Sequence, residues 1–211
     1  MTGPAEMADT VGVLLAGGLA RRMGGGDKPL KSLGGTPILD RVIARARPQV
    51  SELLLNVNGD PARFAPYGLP TAGDVIDGHA GPLAGVLTGM EWAAQNRPEA
   101  VWLASFATDA PFFPEDLVRR MRDAVEEQGA DMACAMSAGR THPVFALWPI
   151  GLKDALRRAM VEEDMRKIDA WTARFKIIHV EFSADPVDPF FNINKPENLA
   201  EAETLLMEAS A

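Results

Sequence analysis

The residues best suited to chemistry lie between Leu14 and Lys28. There a short apolar run gives way at once to Ala16, Gly17 and Gly18. Glycines adopt positive φ without penalty and let a phosphate approach the backbone, whose successive N–H groups can cradle an anion. Arg21, Arg22 and Lys28 add positive charge to this loop in a chain that is acidic overall. Two common phosphate loops are excluded. Lys28 precedes Pro29 rather than Ser or Thr, so G-x-x-x-x-G-K-[ST] is not met, and G-x-G-x-x-G does not occur in the loop. A solvated surface loop is the competing account.

Asp109 stands just past a second apolar run, Val101 to Ser105. A carboxylate there can hold Mg²⁺, a hard cation that prefers oxygen ligands and substrate phosphates. It could equally cap the helix that Pro114 begins. Asn56 and Asn58 follow the strand pattern Leu53–Val57, where their amides could read a base or ribose edge or simply form a turn. Asp74 precedes the Gly81–Gly85 stretch, which could start a helix facing an anion. Asn192 and Asn194 alternate, so both side chains could face one ligand. Nucleophilic catalysis has no obvious carrier. Cys134 is the one cysteine, and His79, His142 and His179 lie far apart without metal-ligand spacing.

These residues need rigid elements to hold them. The chain has 211 residues, enough for one domain with a sizeable core, and 47% are hydrophobic. Its net charge of −8 argues against general nucleic-acid binding. No apolar run is long enough for a membrane span, and Met1 to Thr10 shows no secretion signal, so a cytoplasmic location is expected. Val11–Leu15, Leu53–Val57 and Val101–Ser105 read as buried strands. Helices are expected from Pro37 to Pro48, Leu83 to Gln95 and Pro114 to Gln128. Further strands are expected at Met132–Met136, Pro143–Trp148 and Lys176–Phe182. Helices at Gly151–Glu163, Arg166–Phe175 and Pro196–Glu208 complete the pattern. This alternation predicts a three-layer α/β/α sandwich with a Rossmann-like, mostly parallel sheet. Residues 1–10 are expected to be a flexible leader. Residues 11–211 are expected to form one domain, with the Gly-rich phosphate loop in a half at 11–130 and one wall of the site in a half at 131–211.

The ordered motifs resemble a known family. The pattern LAGGxxxRMGGxDK, from Leu15 to Lys28, is similar to the signature of the molybdenum cofactor guanylyltransferases of the MobA type, within the nucleotidyltransferase superfamily. The remaining motifs follow in the family's order. They are N-x-N (Asn56, Asn58), Asp74 before Gly81–Gly85, D-x-P (Asp109, Pro111), H-P-x-F-A-L-W (His142–Trp148) and N-x-N-x-P-E-x-L (Asn192–Leu199). The resemblance implies the nucleotide-diphospho-sugar transferase fold. It also implies transfer of GMP from GTP to molybdopterin with Mg²⁺, releasing pyrophosphate.

By resemblance, Leu15, Ala16, Gly17 and Gly18 contact the nucleotide, with Lys28 and Arg22 on phosphates. Asn56 and Asp74 hold the nucleotide, Asp109 ligates the metal, and Asn192 and Asn194 lie near the pterin phosphate. Asp77 competes with Asp74 for its place in the pattern. Thr108 and Lys195 depart from the family's usual cysteine and threonine. A GTP-binding accessory protein and apo-molybdoenzymes are the implied partners. A CTP-dependent cytidylyltransferase and a non-catalytic pterin carrier are the alternatives.

Overall fold

The computed structural model describes residues 8–16, 28–78 and 81–208. The first strand, β1 (Thr10–Leu15), is buried at every position but its last, as suits a strand covered on both faces. A small hairpin follows, β2 (Ser32–Leu33) with β3 (Thr36–Pro37). Its two turn residues, Gly34 and Gly35, have φ of 56° and 79°. Positive φ at both turn residues matches the twist of a two-residue hairpin, and glycine adopts it freely. Helix α1 (Ile38–Ala46) buries Leu39 and Val42, with Pro37 just outside it as N-cap.

Strands β4 (Glu52–Asn56) and β5 (Thr71–Ala72) come next, then α2 (Pro82–Asn96). They are followed by β6 (Trp102–Ala107) and α3 (Leu117–Gln128). A hairpin of β7 (Met132–Ser137) and β8 (Arg140–Pro149) leads to α4 (Lys153–Glu162) and α5 (Ile168–Thr172). Strand β9 (Ile177–Phe182) and helix α6 (Pro196–Glu208) end the described fold.

One seven-stranded sheet has the order β5-β4-β1-β6-β8-β7-β9. All neighbouring pairs are parallel except those of β8, which runs against both β6 and β7. From β1 the chain moves out to β4 and β5, then returns past β1 to β6. Open α/β sheets bind ligands at such a reversal, beyond the carboxyl ends of the strands.

Two apolar clusters flank the sheet. One gathers Leu39 and Val42 of α1, Leu117 and Met121 of α3 and Ala202 of α6. The other gathers Leu83, Leu87 and Met90 of α2, Leu156 and Met160 of α4 and Trp171 of α5. The fold is thus the expected α/β/α sandwich. β5 and the β2–β3 hairpin were not expected, and β8 begins at Arg140 rather than Pro143. Two-residue strands are too short to show a sequence period. The β7–β8 turn uses Ala138 and Gly139 at φ 47° and 71°, a pair that carries a weaker turn signal than Asn-Gly.

Residues 1–7 of the expected leader lie outside the described residues. Its last two residues belong to the fold instead. Thr10 is fully buried, and the Asp9 carbonyl accepts from the amides of Val101 and Trp102. The Asp9 carboxylate forms a two-point ion pair with Arg122, at 2.5 and 3.0 Å. Leader and strand cannot be parted by composition, because the anchor of Asp9 lies on a distant helix.

Cys134 is 3% exposed on β7, and burial pushes its thiol pKa up to about 12. A thiolate is the reactive species. The native protein at pH 8 should therefore show almost no reaction with a thiol reagent, and one equivalent after unfolding. Rapid reaction of the native chain would show that the β7 face is open.

Candidate functional site

The carboxyl ends of β1, β4, β5 and β6 open on one edge of the sheet. Leu15 closes β1 and Ala16 follows it, and both are half-buried. The Ala16 N–H donates to the Asn56 carbonyl at 3.0 Å, so the sheet ladder uses it and Ala16 keeps only its carbonyl for a ligand. Gly17, Gly18 and Arg22 lie outside the described residues. Lys28 returns the chain to the site at the start of a short 3-10 turn.

Lys28 joins parts of the chain that are far apart in sequence. Its Nζ lies 2.6 Å from Asp109 Oδ2 and 2.5 Å from Asn194 Oδ1. Asp109 follows the buried end of β6, and its side chain is 27% exposed. The Asp109 carbonyl accepts from the Ile193 N–H at 2.8 Å, which holds the 192–194 segment against β6. Ile193 is fully buried, while Asn192 and Asn194 on either side of it are exposed. The two asparagines share the solvent side, as their alternation predicts. Thr108 donates to the Leu15 carbonyl at 3.1 Å and so ties the end of β6 to the end of β1. A cysteine there would be a weaker donor.

A second polar group forms at β4 and β5. The Asn56 amide donates to Asp74 Oδ1 at 2.9 Å, and the Asn58 amide donates to Asp74 Oδ2 at 2.8 Å. The Asp74 N–H donates back to Asn58 Oδ1 at 3.0 Å. Asp74 is therefore the aspartate brought to Asn56, while Asp77 stays exposed. Thr88 of α2 secures this stretch by accepting from the Val75 N–H at 3.0 Å and donating to the Ala84 carbonyl at 2.8 Å.

Helix α2 can approach because it presents Gly85 and Gly89 to the sheet. A Cβ on Gly85 would lie 2.5 Å from Asn56 Oδ1 and 2.6 Å from Leu15 Cδ2. One on Gly89 would lie 3.0 Å from Val13 and Leu103. Gly81, just before α2, has φ 75°, a backbone that favours glycine.

Two residues absent from the sequence expectations, Ser137 and Asp188, meet His142 of the H-P-x-F-A-L-W motif near this edge. Ser137 Oγ lies 2.7 Å from His142 Nε2 and 2.8 Å from Asp188 Oδ1. A span of 51 residues separates Ser137 from Asp188 and hides the pair in the sequence. A nucleophilic triad would place His between Ser and Asp, whereas here Ser is central and buried, so this is not one.

The family model for the MobA-like NTP transferase domain matches residues 12–175. The chain belongs to this family. A molybdenum cofactor guanylyltransferase from Rhodopseudomonas palustris (strain BisB5) is 55% identical over 97% of this chain and 99% of its own length. One from Nitrobacter hamburgensis is 52% identical over 95% of this chain and 96% of its own. In fold, the chain resembles the crystal structure of molybdopterin-guanine dinucleotide biosynthesis protein A from Archaeoglobus fulgidus. That match has a TM-score of 0.74, 22% identity, and covers 94% of this chain and 99% of that one.

As a MobA-like NTP transferase the chain is a nucleotidyltransferase, and a divalent metal is consistent with this family. Asp109 fits such an ion. Its carboxylate is partly exposed at the sheet edge, and Lys28 engages only Oδ2. Among the described residues, no cluster of three or more His, Cys, Asp or Glu could form an all-protein cage. Mg²⁺ is commonly held by one or two carboxylates, completed by water and phosphate oxygens. Among the described residues no helix is long and apolar enough to cross a membrane.

Gly85→Ala should destabilise this MobA-like NTP transferase by about 1–3 kcal/mol, since Asn56 and Leu15 must move. Denaturant unfolding measures this. An unchanged midpoint would mean that α2 does not approach the sheet so closely.

Proposed function

We propose that this chain transfers GMP from GTP to the terminal phosphate of molybdopterin, giving the guanine dinucleotide cofactor and pyrophosphate. One observation carries the reading. Lys28, Asp109 and Asn194 converge on the sheet edge that also bears the Asn56–Asp74 pair. Near full-length relatives with the guanylyltransferase name favour GTP over CTP and a catalyst over a carrier.

In this reading Asn56 and Asp74 hold the nucleoside end. Leu15 and Ala16 line its path, with Gly17, Gly18 and Arg22 on the phosphates. Lys28 carries the charge that offsets repulsion between two anionic reactants. Asn192 and Asn194 orient the acceptor phosphate. An oxygen of that phosphate attacks the GTP α-phosphorus, the bond to the bridging oxygen breaks, and pyrophosphate leaves with the electron pair. The attacking oxygen is already ionised near neutral pH, so no general base is needed. Asp109 would hold Mg²⁺, which supplies further neutralisation of the triphosphate oxygens. In this reading the reaction takes place in the cytoplasm, with a GTP-binding accessory protein and apo-molybdoenzymes as partners.

Asp109→Asn should lower turnover by about a hundredfold or more while the melting temperature stays close to wild type. Lys28→Ala should weaken GTP binding by about tenfold or more, the loss of one charge-assisted hydrogen bond. Pyrophosphate release and calorimetry measure the two. Mass spectrometry of the product formed from molybdopterin with GTP, or with CTP, tests the whole reading. A cytosine dinucleotide, or no dinucleotide, would overturn it.

A further inference from the structure

The motif His142–Trp148 has no part in the reaction described so far, yet its geometry is unusual. Between β7 and β8 the register runs Cys134 to Ala146, then Ala135 to His142. Pro143, Val144 and Phe145 are thus left out of the ladder with β7. Pro143 has no N–H to offer it. The bulge is held from the other side. Trp148 Nε1 donates to Ser105 Oγ at 2.8 Å, and that hydroxyl donates to the Val144 carbonyl at 2.6 Å. Bulges redirect side chains, and this one presents His142 and Phe145 to the segment that begins at Asp188.

The contacts there form a chain. Asp188 is a carboxylate and accepts the Ser137 hydroxyl proton, so Nε2 of His142 must be the donor to Ser137. The same Asp188 Oδ1 accepts from the Phe190 N–H at 3.0 Å. The His142 ring stacks on Phe190 with centroids 4.5 Å apart. Phe145 and Phe182 pack on Phe190 at 4.9 and 5.6 Å. Three residues beyond Phe190, the Ile193 N–H reaches the Asp109 carbonyl. The next residue, Asn194, reaches Lys28. The stretch 188–194 is therefore fixed at its start by the polar trio and at its end by the site.

We propose that Asp188, Ser137 and His142 are positioning residues that set Asn192 and Asn194 for the acceptor phosphate. The proposal rests on the reading above for which substrate those asparagines meet. The trio acts through backbone placement and touches neither substrate. Among the described residues, the Asn56–Asp74 pair and α2 make no hydrogen bond to it. Removing the trio therefore acts first on the acceptor, and reaches GTP only indirectly, through the Asn194–Lys28 contact.

The test compares wild type, Ser137→Ala and the near-isosteric Asp188→Asn. Amide hydrogen exchange at Phe190–Asn194 should rise by about tenfold or more in Ser137→Ala, the effect of losing one hydrogen bond to a charged group. Exchange in β1 and β4 should not change. KM for molybdopterin should rise by a similar factor, while GTP affinity by calorimetry stays within about twofold. His142 adds a second signature. Its pKa is lowered chiefly by burial and by Arg140, while Asp188 and Glu181 raise it. Asp188→Asn should lower it further in an NMR titration, because one raising charge is gone.

Unchanged exchange at Phe190–Asn194, or GTP affinity lost as much as acceptor binding, would overturn the proposal. An unshifted His142 titration in Asp188→Asn would also overturn it. If wild type forms no dinucleotide, the proposed reaction fails, while exchange and titration still decide whether the trio holds the segment.

Discussion

The ammonium of Lys28 rests between a carboxylate from the middle of the chain and an amide oxygen from near its end. That contact needs β1 and β6 side by side and parallel, so that the residues leaving both strands emerge on one edge. It also needs the 192–194 segment laid across the end of β6, which the Ile193–Asp109 backbone bond achieves. Thr108 adds a third tie between the same two strand ends. With these in place, one positive and one negative group sit where an anionic substrate and a cation can meet. An antiparallel β6 would send Asp109 to the opposite edge.

The other half of the site obeys a packing constraint. Asp74 follows β5, a strand of two residues at the edge of the sheet. Such a short strand holds little by itself. The two asparagine amides on the Asp74 carboxylate and the Thr88 hydroxyl on the next backbone amide hold it in place. Thr88 reaches only because α2 lies close to β1 and β4, and it lies close only because Gly85 and Gly89 have no side chain. A buried apolar contact and a polar arrangement for a ligand thus depend on the same two glycines.

The second half of the chain extends the sheet through a strand of opposite direction, β8. Its bulge gives up ladder bonds at Pro143–Phe145, compensated by the Ser105 and Trp148 bonds and by burial of Phe145 and Trp148. In return His142 and Phe145 meet Phe190. The aromatic cluster is one continuous packing unit from Phe106 through Phe113 and Phe145 to Phe190. It links the core beneath β6 to the segment that carries the two exposed asparagines.

By itself the sequence determined what local pattern can determine. Apolar runs without alternation gave β1, β4 and β6, and spacing near 3.6 gave α1 and α3. The strand-helix alternation gave the layered fold, and the placement of Lys28, Asn56 and Asp109 after apolar runs marked the site's edge. Gly17, Gly18 and Arg22 were expected beside them and lie outside the described residues. The tertiary structure decided the rest. It paired Asp74, already favoured over Asp77, with Asn56, made Asn58 its second partner, joined Asp9 to Arg122, and brought Ser137 to Asp188. The physical reason is range. Hydrophobic period and turn chemistry act over a few residues, whereas a hydrogen bond between distant segments depends on sheet order and register, which no local stretch encodes.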